Sequence, residues 1–204
     1  MHYRLAIQED AKRLAFLHRL GSEKQPGGFM YQLGLPWLEE YYHILLAQKY
    51  TVILCAEDND KRMIGFASGS LDAAEGIVAL KRNRARLLWA ALPALVRNPR
   101  LVQDIRSRQN SASVDANGQG YVIQAGAHED YWAWENLRQP GAIELHLKWL
   151  SLVRLLGAKS VKGEVDVVNS MVLKTHKRLG AKVIREFVTP NGNERVIIEY
   201  VLDR

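Results

Sequence analysis

The sequence predicts an α/β fold built on a mixed sheet, and three observations carry that expectation. Short runs of alternating or continuous apolar residues, such as "TVILCAE" and "ERVIIEYVL", have strand length and strand composition. Longer segments with helical periodicity, above all "AIELHLKWLSLVRLL", fall between them. Two strand pairs are joined by the tight polar turns "DNDK" and "PNGN", which makes hairpins beside longer helical crossovers. With 204 residues, 48% of them hydrophobic, the chain suffices for one substantial core and is short for two, so residues 1–204 are expected to form a single domain.

Along the chain, "HYRLAI" alternates as a strand and meets Glu9 and Asp10, which suit the start of a helix carrying Leu14, Leu17 and Leu20. Gly21 closes that helix, and "GSEKQPGG" holds too much Gly and Pro to be anything but a loop. A second helix is expected from Pro36 through "WLEEYYHILLAQ", because proline is tolerated at the first helical position. "TVILCAE" and "RMIGFASGSL" then form a hairpin.

Residues 73–109 read as a helical insert in two pieces broken around "RNPR", where Pro99 forces a boundary. Polar residues 109–120 read as a loop, "YVIQAGA" as a strand, and "HEDYWAWENLRQPG" as irregular, punctuated by Pro140 and Gly141. The helix over 142–156 has only the narrow polar stripe Glu144, Lys148 and Ser151 and should be buried. "SVKGEVDVV" follows as a strand and "SMVLKTHKRL" as a helix ended by Gly180, with Lys177 and Arg178 in its last turn. "KVIREFVT" and "ERVIIEYVL" complete the order β-α-α-β-β-(αα)-β-α-β-α-β-β.

Composition excludes several classes. The longest apolar run, Leu87 to Val96, is ten residues and contains Pro93, short of the ~20 a membrane helix needs. "MHYRLAIQED" has no apolar export signal, so a cytoplasmic location is expected. The single cysteine, Cys55, excludes an intramolecular disulfide and a cysteine zinc cluster, and its strand context reads as a buried inert thiol. The histidines lack ligand-like spacing, so no metal site is expected. The net charge of +6 is local: residues 81–108 hold eight basic residues against Asp104 alone.

The opening "YRLAIQEDAKRLAFL", the hairpin "ILCAEDNDKRMIGFASG", the strand "YVIQAGA" with its following loop and helix, and "VDVVNSMVLKTHKRLGAKVI" together resemble the GNAT superfamily of acyl-CoA-dependent N-acetyltransferases, over nearly the whole chain apart from the basic insert. The resemblance implies a mostly antiparallel sheet flanked by helices and the transfer of an acetyl or short acyl group from acetyl-CoA, or another acyl-CoA, to an amine of a small molecule or peptide. At the family's pyrophosphate loop this chain has Arg138-Gln139-Pro140-Gly141-Ala142-Ile143; Arg138 and Gly141 fit, while Ile143 replaces a small residue and Pro140 removes a backbone donor. Backbone N–H groups of Gly141, Ala142 and Ile143 at a helix start would hold pyrophosphate, although "RQPG" also reads as a plain turn.

The resemblance places oxyanion donors on the strand "YVIQAGA", at Ala125, Gly126 or Ala127, where Gly126 marks either a close approach or a bulge. It places the proton acceptor at His128 or Glu129, just beyond that strand, and the acid for the leaving thiolate at His176, where family members keep a tyrosine. Both sites have bland alternatives, an exposed loop for the first and a boundary histidine for the second. Asn169 is expected to cap the helix and to touch the cofactor. Tyr131, Trp132 and Trp134, with Tyr41 and Tyr42, read as either acceptor pocket or core. For the basic insert the first reading is a lid with solvated arginines. The others are an anionic lipid surface, an acyl carrier protein as donor, or nucleic acid, which is the least expected. The alternative to an enzyme is a non-catalytic module acting through residues 81–108, and the C-terminal hairpin offers an edge for a homodimer.

Overall fold

The computed structural model describes residues 1–23, 28–103, 105, 123, 125–135, 141–189 and 192–202. Seven strands form one sheet: β1 (His2–Leu5), β2 (Thr51–Glu57), β3 (Met63–Ser70), β4 (Ala127–Trp134), β5 (Ser160–Asp166), β6 (Lys182–Val188) and β7 (Glu194–Val201). Their spatial order is β1-β2-β3-β4-β5-β7-β6, and every neighbouring pair is antiparallel except β4 with β5. The mixed, mostly antiparallel sheet flanked by helices is therefore the fold of this chain.

Helices α1 (Ala11–Ser22) and α2 (Phe29–Leu46) cover one face of β2 and β3 with a core that includes Leu14, Leu17, Tyr42, Ile53, Phe66 and Ala133. Helix α5 (Gly141–Leu155) covers the other, packing Leu145, Trp149 and Val153 against Val52, Ala67 and Val161. Its buried residues recur with a helical period, as its apolar sequence requires, and Trp149 Nε1 donates to Val52 O at 2.9 Å. Helix α6 (Ser170–Arg178) follows β5 and ends at Gly180, whose φ of +100° only glycine adopts without strain.

Several local expectations need correcting. Of the strand expected at 121–127, the described residues 123, 125 and 126 are not strand, and β4 spans "AHEDYWAW", most of it in the stretch expected to be irregular. A bulge at Asp130 is the reason: β3 pairs Ser68 with Tyr131 and Gly69 with Glu129, so Asp130 has no partner and the alternation changes phase there. Helix α2 already starts at Phe29 and is interrupted at Gly34 (φ +82°), after which Pro36 opens its regular part. The insert breaks at Asn83, between α3 (Ala73–Arg82) and α4 (Arg84–Arg97), as well as at Asn98. Asp72 caps α3 by accepting from Ala74 N–H at 2.9 Å.

Helix α4 lies against α2 through buried Ala91 and an Arg86–Glu40 ion pair of 2.6 Å, while Lys81, Arg82, Arg84, Arg97 and Trp89 face solvent. Cys55 is fully buried in β2, where burial pushes its thiol pKa up and keeps it inert. Among the described residues no helix is long and apolar enough to cross a membrane.

Candidate functional site

Strand β4 organises two polar clusters, one on each face of the sheet. Before the bulge, Ala127 and Glu129 point to the α5 face; after it, Trp132 and Trp134 do, while Tyr131 and Ala133 point to the α1–α2 face. The parallel ladder to β5 runs only through Ala127, His128 and Glu129. Beyond it β4 continues to Trp134 and β5 to Asp166 without pairing, so the two strands come apart next to the bulge.

On the α5 face, Glu129 of β4, His146 of α5, His176 of α6 and Tyr200 of β7 converge, all buried. Glu129 Oε1 lies 3.1 Å from His146 Nδ1, yet neither forms a directed hydrogen bond. His146 Nε2 lies 3.2 Å and His176 Nδ1 2.8 Å from the Tyr200 hydroxyl. The Trp132 ring packs beside both imidazoles at 5.2 and 6.2 Å. Burial lowers the His176 pKa, with Glu129 opposing and His146 reinforcing the shift, so this ring is neutral at physiological pH. The expected proton donor is thus enclosed and hydrogen-bonded to Tyr200.

On the α1–α2 face, His128 Nε2 pairs with Asp130 Oδ1 at 2.7 Å, both partly exposed at 18%. Burial pulls the His128 pKa down, but the Asp130 carboxylate, with weaker help from Glu164 and Asp72, outweighs it and leaves the pKa raised. His128 Nδ1 has no hydrogen-bond partner among the described groups. Deeper in, His18 bonds the Tyr42 hydroxyl through Nδ1 at 2.7 Å and stacks on Tyr131 at 3.7 Å; burial pushes its pKa down to about 3. Glu164 and Asp166 of β5 lie on this same face, opposite to Val161 and Val165, and bind Arg195 at 3.1 and 2.5 Å.

The expected residues therefore part company. Glu129 and His128, the two candidates for the proton acceptor, stand on opposite faces of the sheet. Ala125, Gly126 and Ala127 sit where the β4–β5 pair begins, lining a cleft of about 360 Å³ with Gly157, Lys159 and Lys162. Gly141, Ala142 and Ile143 do open α5, with Ile143 44% exposed. Arg138 lies outside the described residues. Asn169 begins α6 through its carbonyl, which accepts from Leu173 N–H at 3.1 Å, while its side chain makes no capping bond. Of the aromatics, Tyr41 and Tyr42 belong to the buried core.

His146 was set aside in the sequence for want of ligand-like spacing, because its partners come from other elements. One signal was present: it shares the buried stripe of Ala142, Leu145, Trp149 and Val153, where a histidine needs partners.

No protein-family model matches the sequence, and no curated protein matches it. Solved structures do match over the whole chain. The ribosomal-protein-S18-alanine N-acetyltransferase of Escherichia coli superposes with a TM-score of 0.58 at 11% identity, covering 100% of this chain and 94% of that one. The spermidine/spermine N-acetyltransferase of Vibrio cholerae gives 0.55 at 14% identity over 98% and 93%. The aminoglycoside acetyltransferase AAC(6')-Ib, solved with coenzyme A and kanamycin, gives 0.55 at 17% identity over 98% and 94%. The fold is that of the GNAT acetyltransferases.

Proposed function

We propose that this chain is an N-acyltransferase that moves an acetyl or short acyl group from coenzyme A to an amine held on the α1–α2 face of the sheet. The observation that carries the reading is the parallel β4–β5 pair, which closes over three residues and separates beyond the Asp130 bulge. The separation lies on the strand whose chain leads directly into the α5 N-terminus.

Coenzyme A, when bound, would supply the activated acyl thioester. The residues present fit its pyrophosphate: the first N–H groups of a 15-residue helix have no intrahelical acceptor, and they sit at the positive end of its dipole. Gly141 allows that start to lie close to β4, since a Cβ there would fall 2.7 Å from the Trp134 ring. Ala142 and Ile143 would complete the donor set, and Arg138 and Asn169 are the further residues that would hold the cofactor. Backbone N–H groups of β4 beyond Glu129, released from β5, take the oxyanion role in place of those at 125–127.

His128 is the base in this reading. Its Nε2 is held by Asp130, which orients the ring, and its buried, unpartnered Nδ1 would take a proton from the acceptor ammonium once the substrate reaches it, leaving the neutral amine to attack the thioester.

The test is release of free coenzyme A thiol from acetyl-CoA across a panel of small and peptidic amines. Wild type should turn over at least one of them, and His128→Gln should lower kcat/KM by about 10²–10⁴-fold. For wild type, kcat/KM should rise with pH through a value above the ordinary histidine pKa, because the neutral ring is the active form; Asp130→Asn should move that value down. A profile unmoved by Asp130→Asn would remove His128 from the role.

A further inference from the structure

The α5-face cluster contains groups that the acyl-transfer reading does not use. Glu129 is a carboxylate with a side chain 6% exposed, and its only ion-pair partner among the described residues is His146. Both of its oxygens and His146 Nδ1 are buried without a hydrogen bond. An isolated carboxylate in such a place is costly, and one shared proton could satisfy a single oxygen at most. The other oxygen would still lack a partner.

Three donors from three elements instead point at one place. One ligand atom each from Glu129, His146 and His176 lies within 4.8 Å of the other two. The two imidazole centroids are 5.4 Å apart and nearly perpendicular, at 82°. Two imidazoles on one tetrahedral ion, with bonds of about 2.0–2.1 Å, have centroids roughly 5 Å apart. The 3.1 Å between Glu129 Oε1 and His146 Nδ1 is likewise close to the edge of such a tetrahedron, about 3.3–3.5 Å.

The surroundings are those of a ligand set as well. Tyr200 touches His146 Nε2 and His176 Nδ1. If His146 ligates through Nδ1 and His176 through the nitrogen that Tyr200 leaves free, each ring can donate its other N–H to the Tyr200 oxygen. Such hydrogen bonds fix tautomer and orientation at metal-bound histidines. Trp132 shields the rings from one side.

We propose that Glu129, His146 and His176 form a divalent transition-metal site, zinc first, with Tyr200 as the positioning partner of both histidines and a small exchangeable molecule as fourth ligand. Two neutral nitrogens and one carboxylate suit zinc and disfavour calcium or magnesium, which take mainly oxygen. The ion would tie β4, α5 and α6 together beneath the place where β4 and β5 separate. This site is independent of the acyl-transfer reading and would stand if the chain transferred nothing.

The test uses the full chain, stripped with chelator and titrated with Co²⁺, then with Zn²⁺. Wild type should show the visible bands of four-coordinate cobalt, saturating at one ion per chain, and zinc should displace them and raise the melting temperature. Glu129→Gln and His176→Gln should lose the bands. Tyr200→Phe, which keeps the ring and the packing, should keep them with affinity about 10–100-fold weaker. A wild type that gives no such spectrum and no stoichiometric zinc overturns the proposal, as does a spectrum unchanged by Glu129→Gln and His176→Gln.

Discussion

Glu129 and His128 are adjacent in sequence, yet each belongs to a different environment. Glu129 faces α5, where its own carboxylate, two histidines and a tyrosine are sealed under Trp132. His128 faces α1 and α2, where its ring and Asp130 stay partly exposed beside two further carboxylates. The difference teaches that a strand with a bulge can serve two purposes within four residues. The enclosed side holds groups in fixed positions, and the other side leaves the His128 ring and the Asp130 carboxylate partly exposed to solvent.

Substitutions can break this contrast, beginning with the largest effect. His146→Ala should cost about 3–5 kcal/mol of stability, since it opens a cavity and leaves Glu129 buried without its partner. Chemical denaturation would measure it, and a loss under 1 kcal/mol would mean that the cluster is not closed. Next comes the loss of about 10²–10⁴-fold in kcat/KM for His128→Gln, with little change in stability.

His18 gives the third effect. Its folded pKa of about 3 is depressed from the ordinary 6.5, so the unfolded chain takes up a proton that the folded chain refuses. Stability from this group is complete above the unfolded pKa and falls as the solution is acidified towards 3. The wild type should lose about 2 kcal/mol between pH 7 and pH 5 from His18 alone, and His18→Phe should flatten that part of the curve. The smallest effect is Asp130→Asn, which breaks a partly exposed pair and should change stability by less than about 1 kcal/mol while it shifts the pH profile of turnover.

The order of most elements along the chain and the two hairpins were legible in the sequence because hairpin turns and helical periods are local signals. "TVILCAE" and "ERVIIEYVL" became β2 and β7 within a residue or two of the expected bounds. Strand β4 was not, since the bulge at Asp130 breaks the alternation that marks a strand and puts Glu129 and Trp132 on one face. Reading that stretch as irregular also hid the opposition of His128 and Glu129, which follows from the ordinary alternation of neighbouring strand residues. The start of α5 at Gly141 was legible from its proline and glycine punctuation. The convergence of Glu129, His146, His176 and Tyr200 was not, because it depends on four elements spread over 72 residues meeting across one sheet face.

The most direct measurement is calorimetric titration of acetyl-CoA into the wild type and Ile143→Glu. A carboxylate in the first turn suits the helix dipole, so this substitution at an exposed position should leave the fold intact while repelling pyrophosphate. The account predicts one acetyl-CoA bound per wild-type chain and affinity at least about tenfold weaker in Ile143→Glu, at equal melting temperature. No binding by the wild type, or equal binding by the two proteins, would contradict a pyrophosphate site at the start of α5.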